Sequence, residues 1–387
     1  MNSISKDLKI ATITFPWVSN VPYKFLSEII EILDPISGKI FLITGNTYRI
    51  ESNSKKMVKK DLRMSIHKLR NENFILYSLS LWILKCIFIQ ARMSSEIISL
   101  RKEIDLIIFY MAYPYHLLPL LVSKIVGIRT IEIITRSKGK SICPKAVDIY
   151  NYLLFSLLDG ISPESNKLIE DLDLMRYESK LLPEGARFIN TDYFRMVKDL
   201  EQRKCLVGFI GRLVDQKGIR NFVKSIPLIA EENNSISFLI GGSGILFDWV
   251  NEECKKIADE NNVRIIVAGW LGDDLIYCLN ELKLLVVPSY EDAFPTIILE
   301  AMSCGTPVLA TPVGAISSLI KDTETGFILE NNTPECISKN VIRALNFSDL
   351  GKISAMEQKL IKMNYTYDAA VNRYESILGY ASTAGLK

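Results

Sequence analysis

The 387-residue chain has two histidines, His67 and His116, and seven cysteines, Cys86, Cys143, Cys205, Cys254, Cys278, Cys304 and Cys336. Two histidines exclude a multi-histidine metal centre. An odd, dispersed cysteine set with no CxxC pair argues against a disulfide framework or zinc knuckle, and for a reducing compartment. The first residues, MNSISKDLKIATITF, lack the charged-then-apolar order of a secretory leader, so a cytoplasmic location is expected. The longest apolar stretch, FILYSLSLWILKCIFI (74–89), is short for a membrane span and carries Lys85. Neither a Walker A loop nor GxGxxG with a following acidic ribose residue is present, which disfavours ATPases and dehydrogenases.

What is present points to a folded α/β protein. Hydrophobic residues make up 48% of the chain and charged residues 23%. The length suits two domains. In the second half CLVGFI (205–210), ISFLI (236–240), VRIIVA (263–268), LKLLVV (282–287) and PVLA (307–310) are short apolar runs, most separated by amphipathic stretches. The first half repeats this with LKIATITF (8–15), KIFLIT (39–44), DLIIFY (105–110), RTIEII (129–134) and DGIS (159–162). Such alternation predicts successive βαβ units and two parallel sheets. A polar stretch near residue 200 suggests domains over 1–200 and 201–360. The terminal segment, 361–387, is helical with no strand after it and is free to pack back on the first domain. Glycine-rich turns after strands predict a binding cleft between two doubly wound domains.

Charge is uneven. Residues 1–150 hold 22 Lys/Arg against 12 Asp/Glu, and the remainder 24 against 32. A basic first half suits an anionic partner. The basic stretch KKMVKKDLRMSIHKLR (55–70) runs up to the apolar 74–89 segment. Two readings stay open there: a solvated face beside a buried helix, or peripheral contact of residues 55–89 with an anionic membrane on its inner face, which would suit a lipid-linked acceptor. Nucleic acid is not expected, since no recognised binding motif accompanies the charge.

Three strand-to-helix turns carry chemistry. GRLVDQKG (211–218) places Gly211, Arg212 and Lys217 where cations near a helix start suit a diphosphate. GGSG (241–244) supplies Gly242 and Gly244, which let backbone approach a phosphate or sugar, or simply make a tight turn. PSYEDAFPTIILEA (288–301) has Glu291 and Asp292 before Pro295, which helix capping alone could explain, and Glu300 in an apolar context where a carboxylate needs a partner. Two ribose hydroxyls would be one such partner, and a buried ion pair another. Diphosphate cations, close backbone and a diol acceptor together indicate a nucleotide diphosphate.

These stretches, with PSYEDAFPTIILEAMSCGTPVLATPVG and TGFILENN, resemble the retaining family-4 glycosyltransferases of the GT-B fold over roughly residues 205–345. ENNTPECISKNVIRAL is similar to archaeal members. The resemblance implies two Rossmann-like domains facing a central cleft, with the nucleotide-sugar donor held mainly by the second. It implies that Arg212 and Lys217 bind the diphosphate and Glu300 the ribose, as the second carboxylate of an E-x7-E motif. Asp292 falls at the first position of that motif, where the family has a sugar-contacting Glu. Gly269 and Trp270 match the stretch lining the base, and Phe294, Pro295 and Thr296 one facing phosphates and sugar. Arg136 stands where many relatives carry a histidine near the donor sugar, so Arg136 and His116 are the acceptor-side candidates, although a lone His at a helix start also suits a purely structural role. FPWVSNVPY (15–23) replaces the usual Gly-Gly loop. The implied reaction is metal-independent, configuration-retaining transfer from a nucleotide-sugar to a glycan or lipid-linked acceptor. GDD (272–274) reads as a helix cap, with no metal motif nearby. A non-catalytic nucleotide-sugar-binding protein, or a sugar-nucleotide hydrolase or epimerase, remains the alternative.

Overall fold

A computed structural model of the chain describes residues 7–16, 21–50, 52–64, 76–112, 115–135, 144–185, 187–292 and 295–383. The chain divides into two compact units. One is Met1–Arg187 with Asp368–Lys387, and the other is Phe188–Tyr367. The division therefore falls at 187/188 rather than near 200. Leu200 is buried in the core of the second unit, so the polar stretch around it is surface loop of that unit, not a linker.

The first unit is built on β1 (Lys9–Ile13), β2 (Lys39–Thr44), β3 (Met57–Asp61), β4 (Leu106–Tyr110), β5 (Arg129–Ile134) and β6 (Gly160–Pro163). All pair in parallel in the order β3-β2-β1-β4-β5-β6. β4 is buried at all five positions, as a strand covered on both faces must be. β3 was not anticipated. It lies at the sheet edge and alternates between half-buried and exposed positions, and its lysines suit an unpaired edge. Lys59 of this strand and Lys56 just before it satisfy backbone. Lys56 Nζ donates to the Asp34 and Ser37 carbonyls, and Lys59 Nζ to those of Thr47 and Ile50.

The helix Leu76–Leu100 buries Cys86, Ile89, Met93, Ile97 and Leu100, one stripe at helical spacing. The terminal helix Tyr367–Thr383 sends Tyr374 into the interior of this unit. Burial pushes the Tyr374 phenol up, and the charges of Glu164 and Arg187 act on it. Those two form a buried bidentate ion pair (2.9 and 3.2 Å), with the Phe25 ring 4.0 Å from the guanidinium.

The second unit repeats the plan with β7 (Leu206–Ile210), β8 (Ser237–Gly241), β9 (Ile265–Gly269), β10 (Leu284–Val287), β11 (Val308–Ala310) and β12 (Phe327–Ile328). The order is β12-β11-β10-β7-β8-β9, all parallel. From β7 the chain winds outward through β8 and β9, then returns to the other side of β7 at β10. That reversal is the switch point of a doubly wound sheet. The helix Ile219–Glu232 buries Ile219, Phe222, Val223, Ile226, Ile229 and Ala230 along one face. The helix Pro334–Leu345 packs against it, and starts with Pro334 and a Thr333 side chain that accepts from Cys336 N–H.

Arg203 ties the opposite edge of this sheet. It is buried, and its guanidinium donates to the carbonyls of Lys198, Leu279, Leu282 and Cys304 and to Thr306 Oγ1. Removing it strands several buried acceptors, each costing about 1–3 kcal/mol unless water replaces it. Arg203→Ala is therefore expected to destabilise the second unit by about 3 kcal/mol or more in denaturant unfolding. Arg203→Lys should recover only part, because an ammonium lacks the fork. A loss below about 1 kcal/mol for alanine would contradict this role.

Candidate functional site

Four turns leave the C-terminal ends of the adjacent strands β10, β7, β8 and β9, and the second unit's proposed site residues lie in them or on the helix that follows β10. The turn after β7 runs from Gly211 through Arg212 to Lys217, then into the helix at Ile219 through Gly218. Arg212 is exposed and Lys217 largely covered. Gly218 has φ +72, and a Cβ there would lie 2.0 Å from the Pro288 carbonyl oxygen. Only glycine lets the first turn approach the start of the turn after β10 so closely.

The turn after β8 is tied to its neighbours by backbone hydrogen bonds. Gly242 has φ +135, and a Cβ there would sit 1.8 Å from the Gly211 oxygen. Gly242 N–H donates to the Gly269 carbonyl (2.5 Å), Gly211 N–H to that of Gly241 (3.0 Å) and Leu213 N–H to that of Ser243 (2.9 Å). Gly244 lies in the same turn, and its carbonyl accepts from Phe247 N–H as the next helix begins (3.1 Å). After β9, Trp270 projects into solvent with 80% of its surface exposed. An aromatic face left open beside these turns is able to stack on a flat ligand.

The turn after β10 holds the acidic residues. Asp292 pairs directly with Lys217, and both side chains are largely covered, at 11% and 17% exposure. Glu291 is exposed. Pro295 is the cap of the helix Thr296–Ser303, one position earlier than a first-turn proline, and Thr296 is its first residue. Ile298, Leu299, Ala301, Met302 and Ser303 are buried on this helix, and Glu300 is half-buried. Glu300 therefore sits at the margin of the apolar face rather than inside it. Phe294 lies outside the described residues.

A side-chain network that sequence reasoning missed fixes this arrangement. Asn221 Nδ2 donates to Tyr290 Oη (2.8 Å) and to the Asn332 carbonyl (2.8 Å). Asn332 Nδ2 donates to the Pro288 carbonyl (3.2 Å), and Tyr290 N–H donates to that of Gln216 (2.9 Å). The turns after β7, β10 and β12 are thereby one rigid rim. The only signal in the sequence was a set of asparagines near turn ends, and these are common in any loop.

The acceptor-side candidates fare differently. Arg136 lies outside the described residues. His116 caps the helix Leu117–Ile125, and its side chain is completely buried. Its Nε2 is 3.3 Å from Glu132 Oε2, without hydrogen-bond alignment, and its ring packs 4.6 Å from that of Phe109. A sealed ring cannot touch an acceptor, so His116 is a core residue of the first unit. Among the described residues no group of three or more His, Cys, Asp or Glu is placed to hold a metal ion. A cavity of about 680 Å³ in the first unit is lined by Lys9, Arg101, Asp105 and Arg129. It lies at the N-terminal ends of β1, β4 and β5, the edge that doubly wound folds do not use for ligands.

Residues 192–362 match the family model described as "Glycosyl transferases group 1". This segment belongs to the group 1 glycosyltransferases. Its relatives include an uncharacterized glycosyltransferase, MJ1607, of the archaeon Methanocaldococcus jannaschii, 30% identical over 154 residues, which is 40% of this chain and 39% of that protein. Another is the N-acetyl-alpha-D-glucosaminyl L-malate synthase of Bacillus anthracis, 23% identical over 72% of this chain and 75% of that protein. The chain spans about two fifths of the first curated relatives it matches. Solved structures show the GT-B fold over nearly the whole chain. A glycosyltransferase from Rickettsia africae superposes with a TM-score of 0.74 at 16% identity, covering 97% of this chain and 99% of that one. Anabaena Alr3699/HepE in complex with UDP gives 0.71 at 12% identity, covering 96% and 100%. The group 1 segment contains all four turns described above.

The glycines of these turns make a sharp contrast. Gly242→Ala would force a Cβ into backbone at positive φ, so a loss of about 2 kcal/mol or more is expected. At Gly211 a Cβ would meet only the Phe209 ring, at 3.9 Å. Gly211→Ala should stay within about 0.5 kcal/mol of the parent in thermal unfolding. Equal melting temperatures for the two variants would show that the turn after β8 is not clamped as described.

Proposed function

We propose that the protein is a retaining glycosyltransferase that moves a sugar from a nucleotide-sugar donor to a glycan or lipid-linked acceptor, without a metal ion. The observation that carries this reading is the rim at the switch point, where Arg212 and Lys217 flank one glycine-clamped turn and Asp292 and Glu300 leave the next. The group 1 family membership of residues 192–362 supports it, as does the UDP bound to a structural neighbour of the same fold.

In this reading Arg212 and Lys217 meet the diphosphate, with the N–H groups of the clamped turns around them. As the bond from the anomeric carbon to the diphosphate lengthens, negative charge grows on the leaving oxygens. Two protein cations are placed to stabilise it, the task a metal ion performs elsewhere. The sugar passes through an oxocarbenium-like state, and the acceptor enters on the face the diphosphate leaves. Glu300 takes the ribose hydroxyls, Asp292 faces the sugar, Trp270 and Gly269 border the base, and the backbone at Pro295 and Thr296 faces phosphates and sugar.

The experiment is turnover of UDP-, GDP- and ADP-sugars in EDTA, with and without a lipid or glycan acceptor. Transfer should persist in EDTA, and NMR of the first-formed product should show the donor's anomeric configuration. Inversion would overturn the reading. Hydrolysis unaffected by acceptor would favour a hydrolase, and binding without turnover a non-catalytic protein. Arg212→Ala with Lys217→Ala should keep the fold and weaken nucleoside diphosphate affinity by about 2–4 kcal/mol in calorimetry.

We further propose that the first unit rests on an anionic membrane surface. Leu81, Ile83, Leu84, Ile87 and Phe88 are exposed on the helix Leu76–Leu100. Leu118, Leu121 and Ile125 are exposed on the helix Leu117–Ile125 packed beside it, and Ile149, Tyr152 and Leu153 on the helix Pro144–Leu157 beyond. Lys85 and Arg92 are the exposed charges among the apolar residues of the first helix, with no acid between residues 76 and 95. No helix among the described residues is long and apolar enough to cross a membrane, so this contact would be peripheral. The lysines of 55–60 contribute less than the sequence suggested, because Lys56 and Lys59 serve backbone carbonyls and Lys60 lies 4.0 Å from Glu96. Leu84→Glu with Phe88→Glu should therefore abolish sedimentation with anionic vesicles, whereas charge reversal at Lys55 and Lys60 should reduce it only modestly. Equal sedimentation of the parent and the Leu84/Phe88 variant would remove the surface from consideration.

A further inference from the structure

The roles expected for Lys217 and Asp292 are separate, a cation for phosphate and a carboxylate for sugar, yet the two side chains are bonded to each other. We propose that Asp292 is the resident counter-ion of Lys217 and that the diphosphate of a donor displaces it, so the carboxylate is released toward the sugar only when a donor is bound. This rests on the nucleotide-sugar reading above. An ammonium largely withdrawn from water costs free energy unless an anion sits beside it, and Asp292 is that anion in the free protein. A diphosphate carries more charge than a carboxylate and offers several acceptor oxygens, so it competes well for Lys217. Two anions on one ammonium repel each other, so the weaker one leaves.

The bonds around Lys217 and ahead of Asp292 favour an exchange of side-chain partners. Tyr290 N–H is held by the Gln216 carbonyl, and Asn221 and Asn332 hold Tyr290 and Pro288. The turn carrying Lys217 is therefore held at Gln216 and Asn221, on both sides of the lysine, and the turn after β10 at Pro288 and Tyr290, ahead of Asp292.

The inference has a sign that a purely sugar-facing carboxylate lacks. If Asp292 competes with the diphosphate, removing its charge tightens nucleoside diphosphate binding while it harms transfer. A carboxylate serving only the sugar would leave that affinity unchanged. A partly covered ion pair in this range implies roughly a two- to tenfold gain. The test is calorimetry of UDP, GDP and ADP on the full chain, with parent, Asp292→Asn, Asp292→Ala, Lys217→Ala and the Asp292→Asn/Lys217→Ala double variant, and melting temperatures to confirm folding. The diphosphate that binds the parent should bind both Asp292 variants more tightly. The double variant should bind no more tightly than Lys217→Ala alone, because the gain acts through Lys217. Unchanged or weaker binding by both Asp292 variants, with Lys217→Ala still weakened, rejects the exchange and leaves the donor site standing. Failure of the parent to bind any of the three rejects the donor site and the exchange with it.

Discussion

At the switch point of the second sheet, β7 and β10 lie side by side although the chain visits β8 and β9 between them. Their turns must pass within backbone contact. Gly218 meets the Pro288 carbonyl with no room for a methyl group, and Gly242 meets Gly211 in the same way. This steric constraint organises the rest. It brings Lys217 to Asp292 across 75 residues of sequence, with Arg212 in the turn that carries Lys217 and Glu300 on the helix that follows Asp292. A side chain at either glycine would push the turns apart and dissolve the arrangement, whatever charges it carried.

Around that crossing the polar groups are divided by depth. Buried ones are locked: Arg203 is saturated by carbonyls and Thr306, Glu164 and Arg187 hold each other, and His116 lies against Glu132 and Phe109. Such groups stabilise edges and crossovers and have no freedom to meet a ligand. At the rim Lys217, Asp292 and Glu300 are half-covered, where a charge is strong enough to matter and still reachable, and Arg212 is exposed. The pairing of Lys217 with Asp292 belongs to this second class.

The two units solve the same topological problem with different surfaces. The second presents glycine turns and charged side chains at the strand ends. The first presents an apolar outer face on consecutive helices, even though its sheet has the same strand order. Fold similarity alone does not distinguish the two units, whereas the side chains on their surfaces do.

Most of the architecture was legible in the sequence because parallel strands buried on both faces read as continuous apolar runs, as at LIIFY (106–110) and LLVV (284–287). β3 was hidden because an edge strand carries lysines and reads as a charged face, and β12 because two residues make no pattern. The glycine turns, Arg212, Lys217 and Glu300 were singled out by their place after strands, and Asp292 by the spacing of a family motif, both of which are local information. The unit boundary was not local. It depended on whether Leu200 and Tyr374 are buried, and on which side. For His116 the sequence left a structural and an acceptor-side role open until its burial was known, and the bonds of Asn221 and Asn332 left no trace in it. The sequence by itself determined the strand rhythm and the chemical types in each turn, because these follow from neighbours along the chain. Only the tertiary structure decided which of those groups are paired, sealed or free, because pairing depends on distances between residues that the chain brings together from far apart.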